Sequence, residues 1–398
     1  MDNNFTRRFA VTTVLLAGLL VLDWLPGLMA HTENRRRFES VIAEMHNGDL
    51  NREDFDALAA GYYEGLRQDV KPTGLPIEKD DIRLRDDFLQ YEFRPNVNRH
   101  YPAGMRITNT VGMPNPDYTY EKPPHTRRIA LLGDSVSVGP YGADYEALLE
   151  EKLNQANSTP QAQRFQILNF AVYGYTVLQM MDVAIEKAPQ FRPDVYMVAL
   201  TQLEANRKGG WGAQISRLVL GRADLKYDFL RRVTTEAGIQ PTDHMHVIAG
   251  KLEPFFLPVT RWALQQIKDH AAAQGAQMVI LLVPTPTNPE IINAEFEDIR
   301  PAVDSIAVPV IDLRDTFGSK NLAALQVDPG SDIHPNARAH EMLFENLSRQ
   351  ILKDPKLSAC ILGTAGDGGT QPAFDGKPST LSSRLNQDFR QVQHSSAK

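Results

Sequence analysis

Two segments that are far apart in the chain carry side chains of the types used in nucleophilic catalysis. Gly133-Asp134-Ser135 ends a short apolar run, and Asp332 and His334 stand just before a helical pattern. A serine hydroxyl becomes a nucleophile when a base takes its proton, and a neutral imidazole is such a base. A carboxylate beside the imidazole can hold its tautomer and stabilise the imidazolium. Taken alone, each segment also fits an ordinary turn or helix entry. Together they favour catalysis, provided that the fold brings them to one place.

An alternation of short apolar runs and helical patterns provides the elements that must do so. Because parallel strands are buried on both faces, such runs predict a parallel sheet covered by helices. Loops that follow different parallel strands converge on one edge of the sheet, so Ser135 and His334 are expected to meet there, with Gly133 allowing the sharp exit from the first strand. The apolar runs are Ile129–Leu132, Phe165–Phe170, Val195–Leu200, Met278–Val283 and Val308–Leu313, and the helical patterns are Tyr145–Gln155, Val177–Ala188, Phe256–Ala273 and Ala337–Lys353.

Three segments resemble the motif blocks of the SGNH (GDSL-like) hydrolase superfamily. They are Gly133–Ser137, Asn169–Tyr175 and Asp332–Asn336, in the order that the family uses, and the resemblance covers about Ile107 to Lys353. It implies an α/β fold of the flavodoxin-like type, a three-layer α/β/α sandwich with a parallel sheet. It also implies chemistry on esters of carbohydrate or similar compounds, as hydrolysis or as acyl transfer, and requires no cofactor.

The same resemblance assigns roles to individual residues. Ser135 is similar by position to the family's nucleophile, His334 to its base and Asp332 to the acid that orients the base. The backbone N–H groups of Ser135 and Gly174 correspond to two donors of the oxyanion hole. We therefore predict a serine esterase or O-acyltransferase that forms an acyl-enzyme through a Ser-His-Asp triad.

Two departures from the family pattern accompany this prediction. Leu203 stands where the family usually has an asparagine whose amide is the third oxyanion donor; Gln202 is a candidate replacement and Asn206 another. Loss of one such donor typically lowers the rate about a hundred- to a thousand-fold. The acid also stands one residue closer to the histidine than in many members, which leaves Asp332 as the first choice and Asp328 as a weaker one.

Other readings of the same residues predict different classes of protein. A member that lacks the third donor could bind glycan or envelope partners without turnover. A phosphate held at the helix start after Gly133 is a third reading, but the chain lacks the glycine spacing and the Gly-Lys-Ser/Thr pattern of nucleotide sites.

The segment from 1 to 30 predicts a signal anchor, a transmembrane helix at the amino terminus. Arg7 and Arg8 precede the apolar stretch Phe9–Leu22, and the small-residue cleavage pattern near Ala30 is poor. The stretch is short for a bilayer unless it continues to Ala30. Arginines on both sides leave the orientation open on charge alone. The order of the segment favours a protein held in the inner membrane, with the catalytic domain on the periplasmic side. A buried helix of a cytoplasmic protein is the alternative.

Residues 126–355 are predicted to form the hydrolase-like domain, in which 207–254 is an insertion with some helix. Residues 31–125 predict a helical stalk, or a cap packed on the main domain, and then an extended arm with short strands, one of them around Met105–Asn109. Residues 356–398 are rich in Gly, Ser, Thr, Gln and Pro and predict a disordered tail.

The composition excludes some classes of protein. The 398 residues are 42% hydrophobic and 23% charged, as in globular proteins, and the net charge of -7 gives no reason to expect a nucleic-acid partner. A single cysteine, Cys360, excludes an intramolecular disulfide and a cysteine metal cage. We find no histidine spacing typical of a metal site. The resemblance implies an acylated carbohydrate or other small ester as the substrate, and the first helix predicts contact with the membrane.

Overall fold

A computed structural model describes nine stretches of the chain, with the short gaps between them left out. The predicted membrane anchor, the predicted stalk up to residue 70, Asn206 and residues 364–398 lie outside these stretches, so the expectations for them stay predictions. In the described part no helix is long and apolar enough to cross a bilayer. The described stretches are 81–101, 104–139, 143–156, 162–205, 210–221, 223–240, 242–318, 321–329 and 332–363.

The central element is a parallel sheet built from the five predicted apolar runs. The strands are β5 (Thr126–Leu132), β6 (Arg164–Asn169), β7 (Val195–Thr201), β8 (Gln277–Val283) and β9 (Val310–Asp312). Their order across the sheet is β6-β5-β7-β8-β9, so the first of the five lies inside and the second at one edge. This is the strand order of flavodoxin-like sheets, and it confirms the predicted parallel sheet of an α/β fold.

Eleven α-helices lie within the described stretches, and those next to the sheet cover both of its faces. Side chains of a strand alternate between the faces: Ala130 and Leu132 of β5 belong to one apolar cluster, and Ile129 and Leu131 belong to the other. In chain order the helices are α1 (Ser135–Val138), α2 (Tyr145–Ala156), α3 (Val177–Glu186), α4 (Gln202–Ala205), α5 (Trp211–Leu220), α6 (Asp228–Glu236), α7 (Met245–Leu252), α8 (Phe256–Ala273), α9 (Pro289–Asp304), α10 (Ala337–Lys353) and α11 (Pro355–Leu362).

The two clusters show that the molecule has three layers. Helices α3, α8 and α9 contribute to the cluster that contains Leu132, together with the helices α5, α6 and α7 of the predicted insertion. Helices α2, α10 and α11 contribute to the cluster that contains Leu131. The sheet therefore lies between two helical layers, as in an α/β/α sandwich.

The arm before the sheet has the short strands that its sequence predicts, but it is packed into the domain. Strands β1 (Ile82–Leu84) and β2 (Tyr91–Phe93) form one antiparallel pair, and β3 (Asn98–Tyr101) and β4 (Gly104–Ile107) form another. Phe88, Leu89 and Phe93 are buried in the same cluster as α3. The described part of the arm thus belongs to the core.

A buried arginine fastens the end of the arm to the sheet. Arg128 of β5 has no exposed surface. Its guanidinium group donates to the carbonyl oxygens of Thr119 at 2.7 Å, Tyr120 at 3.0 Å and Phe191 at 2.7 Å. It also donates to Gln166 Oε1 at 2.8 Å. Because a buried charge needs such partners, this network fixes the path of the chain that leads into β5.

The predicted disordered tail is wrong for its first seven residues. Residues 356–362 belong to α11, which Asp354 caps by accepting a hydrogen bond from the Lys356 N–H at 2.8 Å. Leu357 and Ile361 of this helix are buried against the sheet. Burial of that apolar face supplies the free energy that orders the segment.

Candidate active site

Ser135 is the first residue of α1, directly beyond the carboxyl end of β5. Asp134 is the N-cap of this helix, and its Oδ1 accepts a hydrogen bond from the Val136 N–H at 2.9 Å. Its Oδ2 accepts one from the hydroxyl of Thr201, at the end of β7, at 2.6 Å. Burial is the main cause that raises the pKa of Asp134. These bonds hold the half-buried Ser135 at the edge where the strands end.

Gly133 is needed at this bend because α1 passes very close to it. A Cβ atom at position 133 would lie 2.5 Å from Ser137 Oγ and 2.7 Å from Ser137 Cβ. Ser137 is itself fixed, since its hydroxyl lies 2.8 Å from the Tyr145 hydroxyl. The requirement is therefore close packing of the helix on its own strand end.

His334 lies in a short hairpin, where the sequence predicts a loop. Strand β10 (Gln326–Asp328) pairs with β11 (Asp332–Pro335). Asn336 then caps α10, accepting from the Ala339 N–H at 3.1 Å, as its type predicts. Its Nδ2 also donates to the carbonyl oxygens of Ala324 and Gln326, both at 3.0 Å. One side chain thus joins the hairpin to the helix and sets the position of His334.

The structure brings Ser135, His334 and Asp332 together in one chain of hydrogen bonds. His334 Nε2 lies 2.8 Å from Ser135 Oγ, and His334 Nδ1 lies 2.5 Å from Asp332 Oδ1. A carboxylate only accepts hydrogen bonds, so Nδ1 carries the proton and Nε2 turns its lone pair to the serine hydroxyl. Asp332 Oδ1 also accepts from the His334 N–H at 3.0 Å. This is the arrangement that general-base catalysis requires.

The environment of Asp332 keeps it ionised. Burial raises its pKa, but the hydrogen bonds from the His334 ring and the His334 N–H outweigh that effect and leave the pKa below its usual value. Asp328, the weaker alternative, is the partner of Asp332 across the hairpin and is exposed. The hydrogen bond to the His334 ring comes from Asp332.

Gly174 lies in a tight turn after β6. Its φ of 65° is in the left-handed region, and the turn is closed by the Tyr175 N–H, which donates to the Val172 carbonyl at 3.2 Å. The arm supports this turn: the Tyr91 hydroxyl donates to the Tyr173 carbonyl at 2.9 Å, and the Tyr175 hydroxyl donates to the Tyr91 carbonyl at 2.7 Å. Within the described stretches, the N–H of Gly174 has no hydrogen-bond acceptor, so it can serve a ligand.

The chain that leaves β7 holds the other predicted candidate. Both functional ends of the buried Gln202 amide are bonded to Thr285, since Nε2 donates to the Thr285 hydroxyl and Oε1 accepts from the Thr285 N–H at 3.1 Å. This pairing ties α4 to the loop after β8. The role of Gln202 in an oxyanion hole stays a prediction, and Leu203 beside it is half-buried.

Sequence analysis missed Asn169, the last residue of β6. Its Nδ2 donates to the Ser137 carbonyl at 2.7 Å and also to Glu146, and its Oδ1 accepts from the Ala171 N–H at 2.9 Å. It therefore connects the helix that carries Ser135 to the strand before Gly174. The available signal was a polar residue at the end of an apolar run, within the second motif segment.

His340 lies near the triad but in a different state. It is fully buried, stacks on Tyr145 with ring centroids 5.9 Å apart, and accepts from the Tyr145 N–H at 3.3 Å. Burial is the main cause that lowers its pKa to about 3. This ring is neutral at physiological pH and is a packing element.

The described stretches contain no cluster of metal ligands, and the cleft beside the arm lies away from the triad. In those stretches, no group of three or more His, Cys, Asp or Glu side chains is arranged to hold a metal ion. A cleft of about 670 Å³ lies between the arm and α3, where Arg85, Glu92 and Lys187 border it, and no triad residue lines it. The triad thus lies outside this cleft.

Comparisons with known proteins give no match by sequence and several weak ones by structure. No family model and no curated protein matches the chain. Similar solved structures include TesA, which is 15% identical over 56% of this chain and 98% of its own, with a TM-score of 0.37. The psychrotrophic esterase EstA from Pseudoalteromonas sp. is 15% identical over 57% of this chain and 97% of its own, with a TM-score of 0.36.

A catalytic mutant of Axe2, an acetylxylan esterase from Geobacillus stearothermophilus, is 16% identical over 56% of this chain and 94% of its own, with a TM-score of 0.37. The similarity to the SGNH superfamily rests on the three motif segments of the sequence.

Proposed function

We propose that this protein is a serine esterase that acts on acyl esters. The observation that supports this most is the unbroken hydrogen-bond chain from Ser135 Oγ through the His334 ring to Asp332 Oδ1. It joins residues from opposite ends of the domain at the carboxyl edge of the sheet, where α/β proteins bind their ligands. The three-layer fold and the motif segments agree with it.

The first half of the proposed reaction forms an acyl-enzyme. Ser135 Oγ attacks the acyl carbon while its proton passes to His334 Nε2, and the carbonyl electron pair moves onto oxygen. The N–H groups of Ser135 and Gly174 donate to this oxyanion. When the electron pair returns, the bond to the alcohol oxygen breaks, and His334 gives its proton to the leaving alkoxide. Asp332 stabilises the imidazolium between these two steps.

The second half releases the acyl group. A water molecule attacks the acyl carbon, its proton passes to His334, and the collapse of the oxyanion returns the electron pair and the proton to Ser135. The products are a carboxylic acid and the unchanged enzyme. If a sugar hydroxyl attacks in place of water, the same steps give a new ester, and the protein is then an O-acyltransferase.

For substrate and location we propose acetylated carbohydrate of the cell envelope, with the domain held on the periplasmic side of the inner membrane by residues 1–30. The motif segments support the substrate class, and the order of charges and apolar residues at the amino terminus supports the anchor. Fractionation of cells that express the chain with and without residues 1–30 tests the anchor. Recovery of both forms in the soluble fraction would reject it.

Removal of the nucleophile tests the esterase. We expect Ser135→Ala to abolish hydrolysis of a small acetyl ester and to prevent labelling by a fluorophosphonate probe, which reacts with activated serines. Ser305→Ala, which removes an exposed hydroxyl at the end of α9, should leave both signals unchanged. Equal turnover by the Ser135→Ala protein would reject the mechanism.

A second candidate function is binding of glycan or of envelope partners without turnover. Leu203 at the expected position of an oxyanion donor, and the pairing of Gln202 with Thr285, favour it. It predicts that the fluorophosphonate probe does not label the protein, and that a column carrying the immobilised protein retains acetylated polysaccharide. Labelling of Ser135 would reject this candidate.

A further inference from the structure

The chain that leaves β7 passes beside the proposed nucleophile. In the sheet, β5 lies between β6 and β7, so Ser135 has the Gly174 turn on one side and α4 on the other. The 2.6 Å bond from the Thr201 hydroxyl to Asp134 shows how near the end of β7 comes to the start of α1. Polar groups of α4 therefore lie on the β7 side of Ser135, opposite the Gly174 turn.

Of the side chains in this segment, the structure leaves one polar group with an unused oxygen. Thr201 is bonded to Asp134, Gln202 is bonded to Thr285, and Leu203 is apolar. Glu204 is 5% exposed, and its Oε2 accepts from the Val177 N–H at 3.0 Å. Its Oε1 has no hydrogen-bond partner in the described part of the chain, yet it is not among the side-chain atoms sealed from solvent there.

We propose that Glu204, as a neutral carboxylic acid, is the third donor of the oxyanion hole, giving an O–H hydrogen bond to the negative oxygen that forms during the reaction. This role rests on the proposed esterase function, because Glu204 would complete the oxyanion hole of that enzyme. The bond to the Val177 N–H at the start of α3 holds the carboxyl group in place and also connects it to the chain that follows Gly174.

The surroundings of Glu204 favour the neutral form. Burial, the largest cause, and the charge of Asp134 raise its pKa to about 8, against the opposite effect of the Val177 N–H. The first turn of α3 carries no acidic residue, and α9, which packs against α4, carries the buried Glu295. A neutral carboxyl group donates a hydrogen bond, whereas a carboxylate only accepts and would repel the oxyanion.

The pH dependence of the reaction separates this role from a purely structural one. The value of kcat/KM for a neutral acetyl ester, measured from about pH 6 to about pH 10 with the uncatalysed rate subtracted, reports groups of the free enzyme. We expect the wild-type value to fall above about pH 8, as Glu204 loses its proton. Glu204→Gln keeps an N–H donor at every pH and an acceptor for Val177, so its profile should lose this alkaline decline.

A variant without any donor gives the size of the effect. Glu204→Leu should lower kcat about a hundred- to a thousand-fold with little change in KM, because the oxyanion exists only near the transition state. Glu295→Gln, which changes the buried carboxyl group of α9, is the matched control and should keep the wild-type decline.

Two results would overturn the proposal. One is an alkaline decline in the Glu204→Gln protein at the same pH as in the wild type, and the other is a wild-type kcat in the Glu204→Leu protein. Both presuppose that the wild-type enzyme turns over and that Ser135 is labelled by the fluorophosphonate probe. If the wild type is inert and unlabelled, the esterase function and this proposal are both rejected, whereas labelling with an unchanged Glu204→Gln profile rejects this proposal alone.

Discussion

Asp332 touches no substrate in the proposed mechanism, and its effect passes through His334. An amide in its place can donate to the ring and so favour the opposite tautomer, which would turn an N–H towards Ser135. We expect Asp332→Asn to lower kcat at least about a hundredfold, with a much smaller effect on KM. Steady-state kinetics on a small acetyl ester measure this.

Asp328→Asn is the control for that substitution. It changes an exposed carboxylate on the opposite strand of the same hairpin, and the bond to the His334 ring does not come from it. Its kinetics should match those of the wild type. If both asparagine variants turned over equally well, Asp332 would not be the orienting acid.

At the scale of single elements, the exit from β5 determines where Ser135 stands. Gly133→Ala places a methyl group against Ser137, which cannot move easily because Tyr145 and Asn169 bind it. Helix α1 must shift, and Ser135 shifts with it. We expect unfolding in urea to show a loss of about 1 to 3 kcal/mol and kcat to fall by more than tenfold, since small displacements in a site are costly.

A glycine in another helix provides the comparison. In α7, a Cβ at Gly250 would meet no atom within 4 Å. Gly250→Ala should therefore raise the free energy of unfolding by about 0.4 to 1 kcal/mol and leave kcat unchanged. Wild-type kinetics in the Gly133→Ala protein would show that α1 tolerates the methyl group and that this close contact does not position Ser135.

The elements that the sequence predicts well are those whose pattern is continuous. The strand β7 is apolar from Val195 to Leu200 and fully buried, so its run of side chains indicates a central strand without further information. The hairpin of β10 and β11 has strands of three and four residues, too short for a period to be recognised, and the bond from Asn336 to the Gln326 carbonyl forms only in the folded chain. Asp354-Pro355 is a typical helix start and indicates α11, but the polar composition of the chain after this helix favoured disorder for the whole segment.

In the site, the sequence likewise predicts the reacting residues but not the contacts that support them. Residue types alone predict Ser135, His334 and Asp332, because few other side chains can do this chemistry. The supporting contacts of Asn169 and Glu204 join segments that meet only in the folded chain. Their local patterns do not distinguish them from structural residues, since an asparagine at a strand end or a glutamate in a short helix has many ordinary uses.

At the scale of the whole molecule, the arm connects a charged cluster to the site. Glu92 of β2 is buried and forms ion pairs with Arg85 at 2.7 Å and Lys187 at 3.0 Å, and it also pairs with Arg83. The preceding residue, Tyr91, is the one that supports the turn of Gly174. The cluster that holds β2 to α3 therefore also holds the oxyanion turn.

The pKa of Glu92 turns this connection into a prediction about pH. Burial raises the pKa of Glu92, but the opposite effect of Lys187 and Arg85 is larger and brings it to about 2. A carboxyl group whose pKa is lower in the folded state stabilises that state above its unfolded pKa of about 4.5 and loses this contribution as the pH falls to about 2. Above about pH 5, Glu92→Gln should therefore lower the free energy of unfolding by about 1 to 3 kcal/mol, and this difference should shrink towards zero as the pH falls through about 2.

Urea unfolding at a series of pH values measures this difference. Glu297→Gln is the control, because that carboxylate pairs with Arg314 at 3.0 Å but is 66% exposed, and an exposed pair contributes little. Its difference from the wild type should stay near zero at every pH. A Glu92→Gln difference that is constant from about pH 5 to about pH 2 would mean that the arm is held by apolar packing at Phe88, Leu89 and Phe93 and not by the charge of Glu92. In that case the support of the Gly174 turn would not depend on pH through this cluster either.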